Sequence, residues 1–62
     1  MAKRIINTRF GKMLVQTIST HAYYFYEIQS LNGLFCTELE SETRLADLTS
    51  MDIEAAIDNI FH

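Results

Sequence analysis

The chain has no proline, two glycines and a single cysteine in 62 residues, and it contains no long uninterrupted apolar run. Each shortage removes a class of structure. One cysteine cannot form an internal disulfide, and a lone thiol suits a reducing compartment rather than a stapled secreted fold. The opening residues, MAKRIINTRFGK, alternate charged with apolar side chains, so neither a signal peptide nor a membrane span is expected. No repeat or low-complexity tract divides the chain, and residues 1–62 are expected to form one domain. These absences together point to a cytoplasmic protein that does not engage a membrane.

A domain this short buries only about 60% of the surface its unfolded chain exposes. Natural chains of this size compensate with disulfides, a metal, idealised helix packing or association. The disulfide is excluded. A structural zinc needs four ligands at short spacings, which one cysteine and two histidines cannot supply, so no metal and no cofactor is expected. What is present is largely apolar: 48% hydrophobic against 21% charged residues is a globular composition, too apolar for disorder.

Both glycines fall where a hairpin needs one. Gly11-Lys12 can form a two-residue turn, and Asn32-Gly33 is the strongest short hairpin signal available. A turn centred on Gly11-Lys12 sets Phe10 opposite Met13, Thr8 opposite Val15 and Ile6 opposite Thr17. Ile6, Phe10, Met13 and Val15 then share one face, with Ile5, Leu14 and Ile18 on the other. A turn on Asn32-Gly33 sets Ser30 opposite Phe35, Ile28 opposite Thr37 and Tyr26 opposite Leu39. Tyr24, Tyr26, Ile28, Phe35 and Leu39 share a face. Tyr23, Phe25, Leu31, Leu34 and Cys36 lie opposite, beside Glu27, Gln29, Glu38 and Glu40.

The segment LTSMDIEAAIDNIFH reads as a helix over 49–61. Thr49 and Asp52 have capping-box spacing, and Leu48 and Ile53 stand where a hydrophobic staple would. Ile53, Ala56, Ile57, Ile60 and Phe61 form one apolar stripe, with Asp52, Glu54 and Asp58 opposite. The connecting stretch SETRLADL is compatible with a short helical turn or a loop. The expected fold is thus α+β: a small antiparallel sheet of three to four strands, built from two hairpins over 1–41, followed by one C-terminal helix packed on one face. Antiparallel order follows because parallel pairs need crossovers that the chain has no room for.

One helix of about a dozen residues covers one face of such a sheet. The other face still receives Ile5, Leu14, Ile18, Tyr23, Phe25, Leu31 and Leu34, and contiguous exposed apolar patches mark interaction surfaces. Charge is also uneven. Residues 1–31 carry Lys3, Arg4, Arg9 and Lys12 against Glu27, a net +3, whereas 32–62 carry seven acids against Arg44, a net −6.

Candidate chemistry is sparse. His21 and Cys36 are the only residues that raise nucleophilic catalysis, and no third orienting group accompanies them; His21 reads as an exposed turn residue and Cys36 as a small apolar filler. Glu27 and Glu38 are cross-strand neighbours, but an open sheet face offers no depth to separate their pKa values, so they read as a solvated rim. No catalytic residue is assigned.

The chain therefore reads as a non-enzymatic interaction protein, a homodimer or an inhibitor or adaptor docking on a larger, nucleic-acid-handling protein. Tyr23, Phe25, Leu31 and Leu34 would supply the anchors, and the acidic helix residues Asp52, Glu54 and Asp58 the steering. Small accessory proteins of phages and mobile elements share this profile. The alternative is a weak single-stranded nucleic-acid binder that stacks bases on Tyr23 and Phe25 and holds phosphates with Lys3, Arg4, Arg9 and Lys12. A sequence pI of about 5.1 counts against it.

Overall fold

A computed structural model describes Ala2–Phe61; Met1 and His62 lie outside the described residues. The strands β1 (Lys3–Thr8), β2 (Gly11–Ser19), β3 (Tyr24–Ser30) and β4 (Cys36–Ser41) form an antiparallel meander in the order β1-β2-β3-β4. A 3-10 turn over Leu45–Asp47 leads into the helix α1 (Ser50–Asp58). The α+β architecture expected from the sequence is the one found.

The Asn32-Gly33 hairpin has the expected register, with Tyr26 opposite Leu39, Ile28 opposite Thr37 and Glu27 opposite Glu38. Ser30 N–H donates to the Phe35 carbonyl at 3.0 Å, and Gly33 takes φ 76°, a left-handed value that favours glycine.

The first hairpin departs from expectation. Its turn is Arg9-Phe10, so Thr8 pairs with Gly11 and Ile6 with Met13 rather than with Thr17. Thr8 explains the shift, because its Oγ1 accepts from Phe10 N–H at 3.1 Å and donates to the Gly11 carbonyl at 2.8 Å. Gly11, at φ 110°, closes the turn instead of centring it. The turn moves by two residues, and strand side chains alternate with period two, so Ile6, Met13 and Val15 keep their common face. Phe10 leaves the strand and is exposed.

A bulge between Thr17 and Ser19 also breaks the ladder, so that Ser19, not Ile18, pairs with Phe25. Beyond Thr17 the alternation no longer assigns Ile18 to a face, and Ile18 is exposed.

The core forms where the sheet's inner face meets the C-terminal segment. Ile6, Met13, Val15, Tyr26 and Ile28 from the strands pack with Leu48, Ile53 and Ile57, while Tyr24, Phe35, Leu39, Leu45 and Ala56 line the margin. Thr49 caps the helix. Its N–H donates to Asp52 Oδ2 at 2.8 Å, and its Oγ1 accepts from Asp52 N–H at 3.3 Å, a complete capping box flanked by buried Leu48 and Ile53.

The helix ends at Asp58, three residues before the expected 61. No basic residue in its last turn complements the dipole. The backbone there tightens into Ile60 N–H to Ile57 carbonyl and Phe61 N–H to Asp58 carbonyl bonds, both 3.1 Å. Ile60 and Phe61, expected on the apolar stripe, are consequently exposed. Phe61 stacks on Phe35 with centroids 6.0 Å apart.

Two polar contacts fix the connection between sheet and helix. Arg4, on the inner side of edge strand β1, donates through Nη1 to the carbonyls of Leu45 at 2.9 Å, Ala46 at 3.2 Å and Leu48 at 3.0 Å. Tyr26, fully buried, donates its hydroxyl to the Thr43 carbonyl at 2.6 Å. Burial, with a smaller contribution from Tyr24, pushes the Tyr26 phenol above its ordinary pKa.

Arg4→Ala is expected to lower unfolding free energy by about 1–3 kcal/mol, with Arg4→Lys falling between it and wild type, because a charged donor to several carbonyls is lost. Urea unfolding followed by circular dichroism measures this, and equal midpoints for wild type and Arg4→Ala would remove the clamp.

Tyr26→Phe is expected to cost about 1–2 kcal/mol at neutral pH. The folded state holds the Tyr26 proton more tightly than the unfolded chain does, whose ordinary value is 10.0. Its contribution is therefore complete below that pH and lost as pH rises through and beyond it. Wild type should lose more stability than Tyr26→Phe between pH 7 and about pH 11. Parallel losses would contradict the assignment.

Candidate interaction surface

Because inner-face residues alternate with outer ones, the register places a defined set of side chains on the face that α1 does not cover. Across the strands in the order β1, β2, β3, β4 they form rows. One row is Ile5, Leu14, Gln29 and Cys36, and the next is Lys3, Gln16, Glu27 and Glu38. Phe25 and Glu40 pair in the row beyond. At the opposite end Asn7 and Lys12 pair; Leu31 and Leu34 belong to the β3–β4 loop beyond the ladder, where Leu34 lines a groove with Met13, Phe35 and Ile57 on the helix side.

The anchors expected from sequence are all exposed, Leu34 by 87% and Leu31 by 57%. They do not form one patch. Phe25 and the loop residue Tyr23 sit at one end of β3, and Leu31 and Leu34 lie past the other, roughly 20 Å away at a strand's rise per residue. Between the two ends runs the polar row of Lys3, Gln16, Glu27 and Glu38. Along the strands the open face runs from Asn7 and Lys12, through Ile5 and Leu14 beside Gln29 and Cys36, to the polar waist and then to Phe25 beside Glu40, more polar than an uninterrupted apolar layer.

The helical acids have partners inside the molecule. Asp52 is bound in the capping box. Glu54 Oε2 accepts from the Arg9 backbone N–H at 2.8 Å, and Asp58 pairs with the Arg9 guanidinium. Glu54 and Asp58, like charges four residues apart on the helix, are thus bridged by a cation from the β1–β2 turn, a long-range contact that helical spacing could not reveal. Arg9 also lies over the Phe10 ring at 4.7 Å.

The four basic residues of the nucleic-acid alternative are divided by these contacts. Arg4 holds the 3-10 turn and Arg9 the helix, whereas Lys3 and Lys12 stand on the open face. The two lysines share that face with Glu27, Glu38 and Glu40, so it is positive towards β1 and β2 and negative towards β3 and β4.

His21 lies in the loop before β3, whereas Cys36 on β4 pairs with Gln29, about 16 Å along the strand from the start of β3 at Tyr24. Among the described residues no group of three His, Cys, Asp or Glu side chains could hold a metal ion. The Cys36 thiol is pushed above its ordinary pKa by partial desolvation and then by the carboxylates of Glu27 and Glu38. Two shallow grooves flank the core, one of about 250 Å³ beside Phe10, Leu34, Phe35 and Phe61, the other of about 350 Å³ beside Thr17, Tyr24 and Leu45. Neither is lined by a His, Cys, Asp, Glu, Lys or Arg side chain. No helix among the described residues is long and apolar enough to cross a membrane.

No protein-family model matches the chain, and no curated protein or solved structure matches it significantly.

Sequence reasoning found the apolar anchors but missed the waist as a unit. The pairing of β2 with β3, which joins Gln16 to Glu27, runs through the bulged hairpin and has no Asn-Gly or Gly-X turn to announce it.

The waist predicts a measurable property of Cys36. Alkylation by iodoacetamide near neutral pH should be slower than for a cysteine in an unstructured peptide, and Glu27→Gln with Glu38→Gln should accelerate it several-fold by restoring thiolate. Identical rates in wild type and the double variant would show that the carboxylates do not act on the thiol.

Proposed function

We propose that this protein is a non-enzymatic protein-binding module that works through the open face of its sheet, either with a copy of itself or as an inhibitor or adaptor on a larger protein. The observation that carries this reading is the set of apolar side chains that the helix leaves uncovered on that face, exposed Ile5 beside half-buried Leu14 on one side of the polar row and exposed Phe25 on the other. Interfaces combine such buried anchors with polar positions that fix register. The grooves carry hydroxyls and the Tyr24 phenol but no His, Cys, carboxylate or amine side chain that would activate them for acid–base or nucleophilic chemistry. A single exposed thiol suits a reducing, cytoplasmic setting.

Steering belongs to Glu27, Glu38 and Glu40 rather than to Asp52, Glu54 and Asp58, whose carboxylates are satisfied within the fold. The same acids weigh against single-stranded nucleic acid. Two of its four expected cations are engaged internally, and the three carboxylates would repel a phosphate backbone approaching Phe25.

The double substitution Ile5→Ser with Phe25→Ser should weaken self-association and partner capture at least about tenfold, while the helical circular dichroism signal persists. Retention of every interaction by that variant would sink the reading. Labelled oligonucleotides should show no salt-sensitive binding in fluorescence anisotropy; binding lost on Lys3→Glu with Lys12→Glu would instead favour the nucleic-acid alternative.

A further inference from the structure

The open face carries two patterns at once, and together they select an occupant. Along the strands it is banded, the polar row of Lys3, Gln16, Glu27 and Glu38 lying between the row that holds Ile5 and Leu14 and the row that holds Phe25. Across the strands it is polarised, running from Lys3 on β1 through Gln16 and Glu27 to Glu38 on β4. A partner that fits must present the same banding along its length and the reverse polarity across its width. A second copy of this chain does both when it is rotated by half a turn about an axis parallel to the strands. That rotation keeps each row over its own counterpart and exchanges β1 with β4. The alternative two-fold, perpendicular to the strands within the sheet plane, keeps each strand over its own copy, so an axis through the waist sets Lys3 over a second Lys3 and Glu38 over a second Glu38.

We infer that two copies pair face to face about a two-fold axis parallel to the strands, with Lys3 of each subunit over Glu38 of its partner. This rests on the reading of the open face as a protein-binding surface and names its occupant. In the pair, Gln16 meets the partner's Glu27, and its amide can donate to that carboxylate. Ile5 and Leu14 meet the Cys36 and Gln29 side of the other sheet, and Phe25 is covered at the far end. Such isologous contact is the usual geometry of a homodimer, and sheets packed this way keep their strands nearly aligned. The flat footprint is roughly 400 Å² per copy from strand spacing and rise, about 800 Å² in all and below the ~1,000 Å² of stable interfaces, so the dimer is a weak, transient one.

Symmetry makes the test sharp, because each subunit contributes one Lys3 and one Glu38 to two equivalent pairs. K3E or E38K alone converts both attractions to repulsions and should weaken the dimer about tenfold or more. Mixed in equal amounts, the two variants restore complementarity at both pairs, so the heterodimer should form as tightly as wild type. Sedimentation equilibrium over about 10–500 µM measures the affinities, a range suited to a small interface. Native mass spectrometry with one variant isotopically labelled separates heterodimer from homodimer. Recovery on mixing also shows that both variants are folded.

A wild-type chain that stays monomeric throughout overturns the inference, and so does a dimer that both charge reversals leave unchanged or that mixing fails to rescue. Ready formation of a Cys36–Cys36 disulfide would overturn it too, because this arrangement holds the two thiols about 14 Å or more apart, beyond bonding reach. The underlying reading fails separately, if Ile5→Ser with Phe25→Ser leaves all binding intact.

Discussion

A nine-residue helix is about 14 Å long, and here it screens the inner face of a sheet four strands and roughly 19 Å wide. Coverage of that face is the constraint on which the other features depend. The helix supplies only Ile53 and Ile57 as fully buried side chains, so the connection before it must contribute Leu48 and lay Leu45 against the margin. An irregular connection holds such a position only if its backbone polar groups find partners. Arg4 and Tyr26 provide them from the sheet, which explains why an arginine sits on the inner side of an edge strand and a tyrosine at the centre of the core.

The same constraint sorts the charges. On the helix side, arginines and acids neutralise one another or bind backbone: Arg4 with carbonyls, Arg9 with Glu54 and Asp58, Arg44 with Asp47. Lys3, Lys12, Glu27, Glu38 and Glu40 remain on the uncovered face. The division follows the chemistry of the side chains, since a planar guanidinium serves several acceptors at once whereas an ammonium is strongly hydrated and stays at the surface. The net charges of +3 and −6 read from the two halves of the sequence therefore overstate what a partner meets. Much of that charge is spent joining the β1–β2 turn to the helix.

The sequence showed most clearly what local chemistry controls. Thr49 and Asp52 announced the helix start, and Asn32-Gly33 set the second hairpin to the residue. The first hairpin was legible in its faces but not in its pairing. A glycine following a turn and one within it look alike in sequence, and the bond from Phe10 to the Thr8 hydroxyl decides between them. The helix end was read too late because the apolar stripe continues to Phe61 while the dipole and packing do not support it. The open face was legible as a set of residues but not as a pattern. Its banding depends on pairing β2 with β3, and the contacts that occupy Arg4, Arg9 and Asp58 join residues more than forty positions apart.

The placement of α1 after all four strands has a consequence for how the chain comes into being. A nascent polypeptide that has completed the meander still lacks Leu48, Ile53 and Ile57, so Tyr26 and Ile28 face water on the side they will later close. Folding during translation thus offers no stable halfway stage. Until the helical segment clears the ribosome, the sheet is bare on both surfaces and open to chaperones and proteases, and only then can the chain commit to its native state.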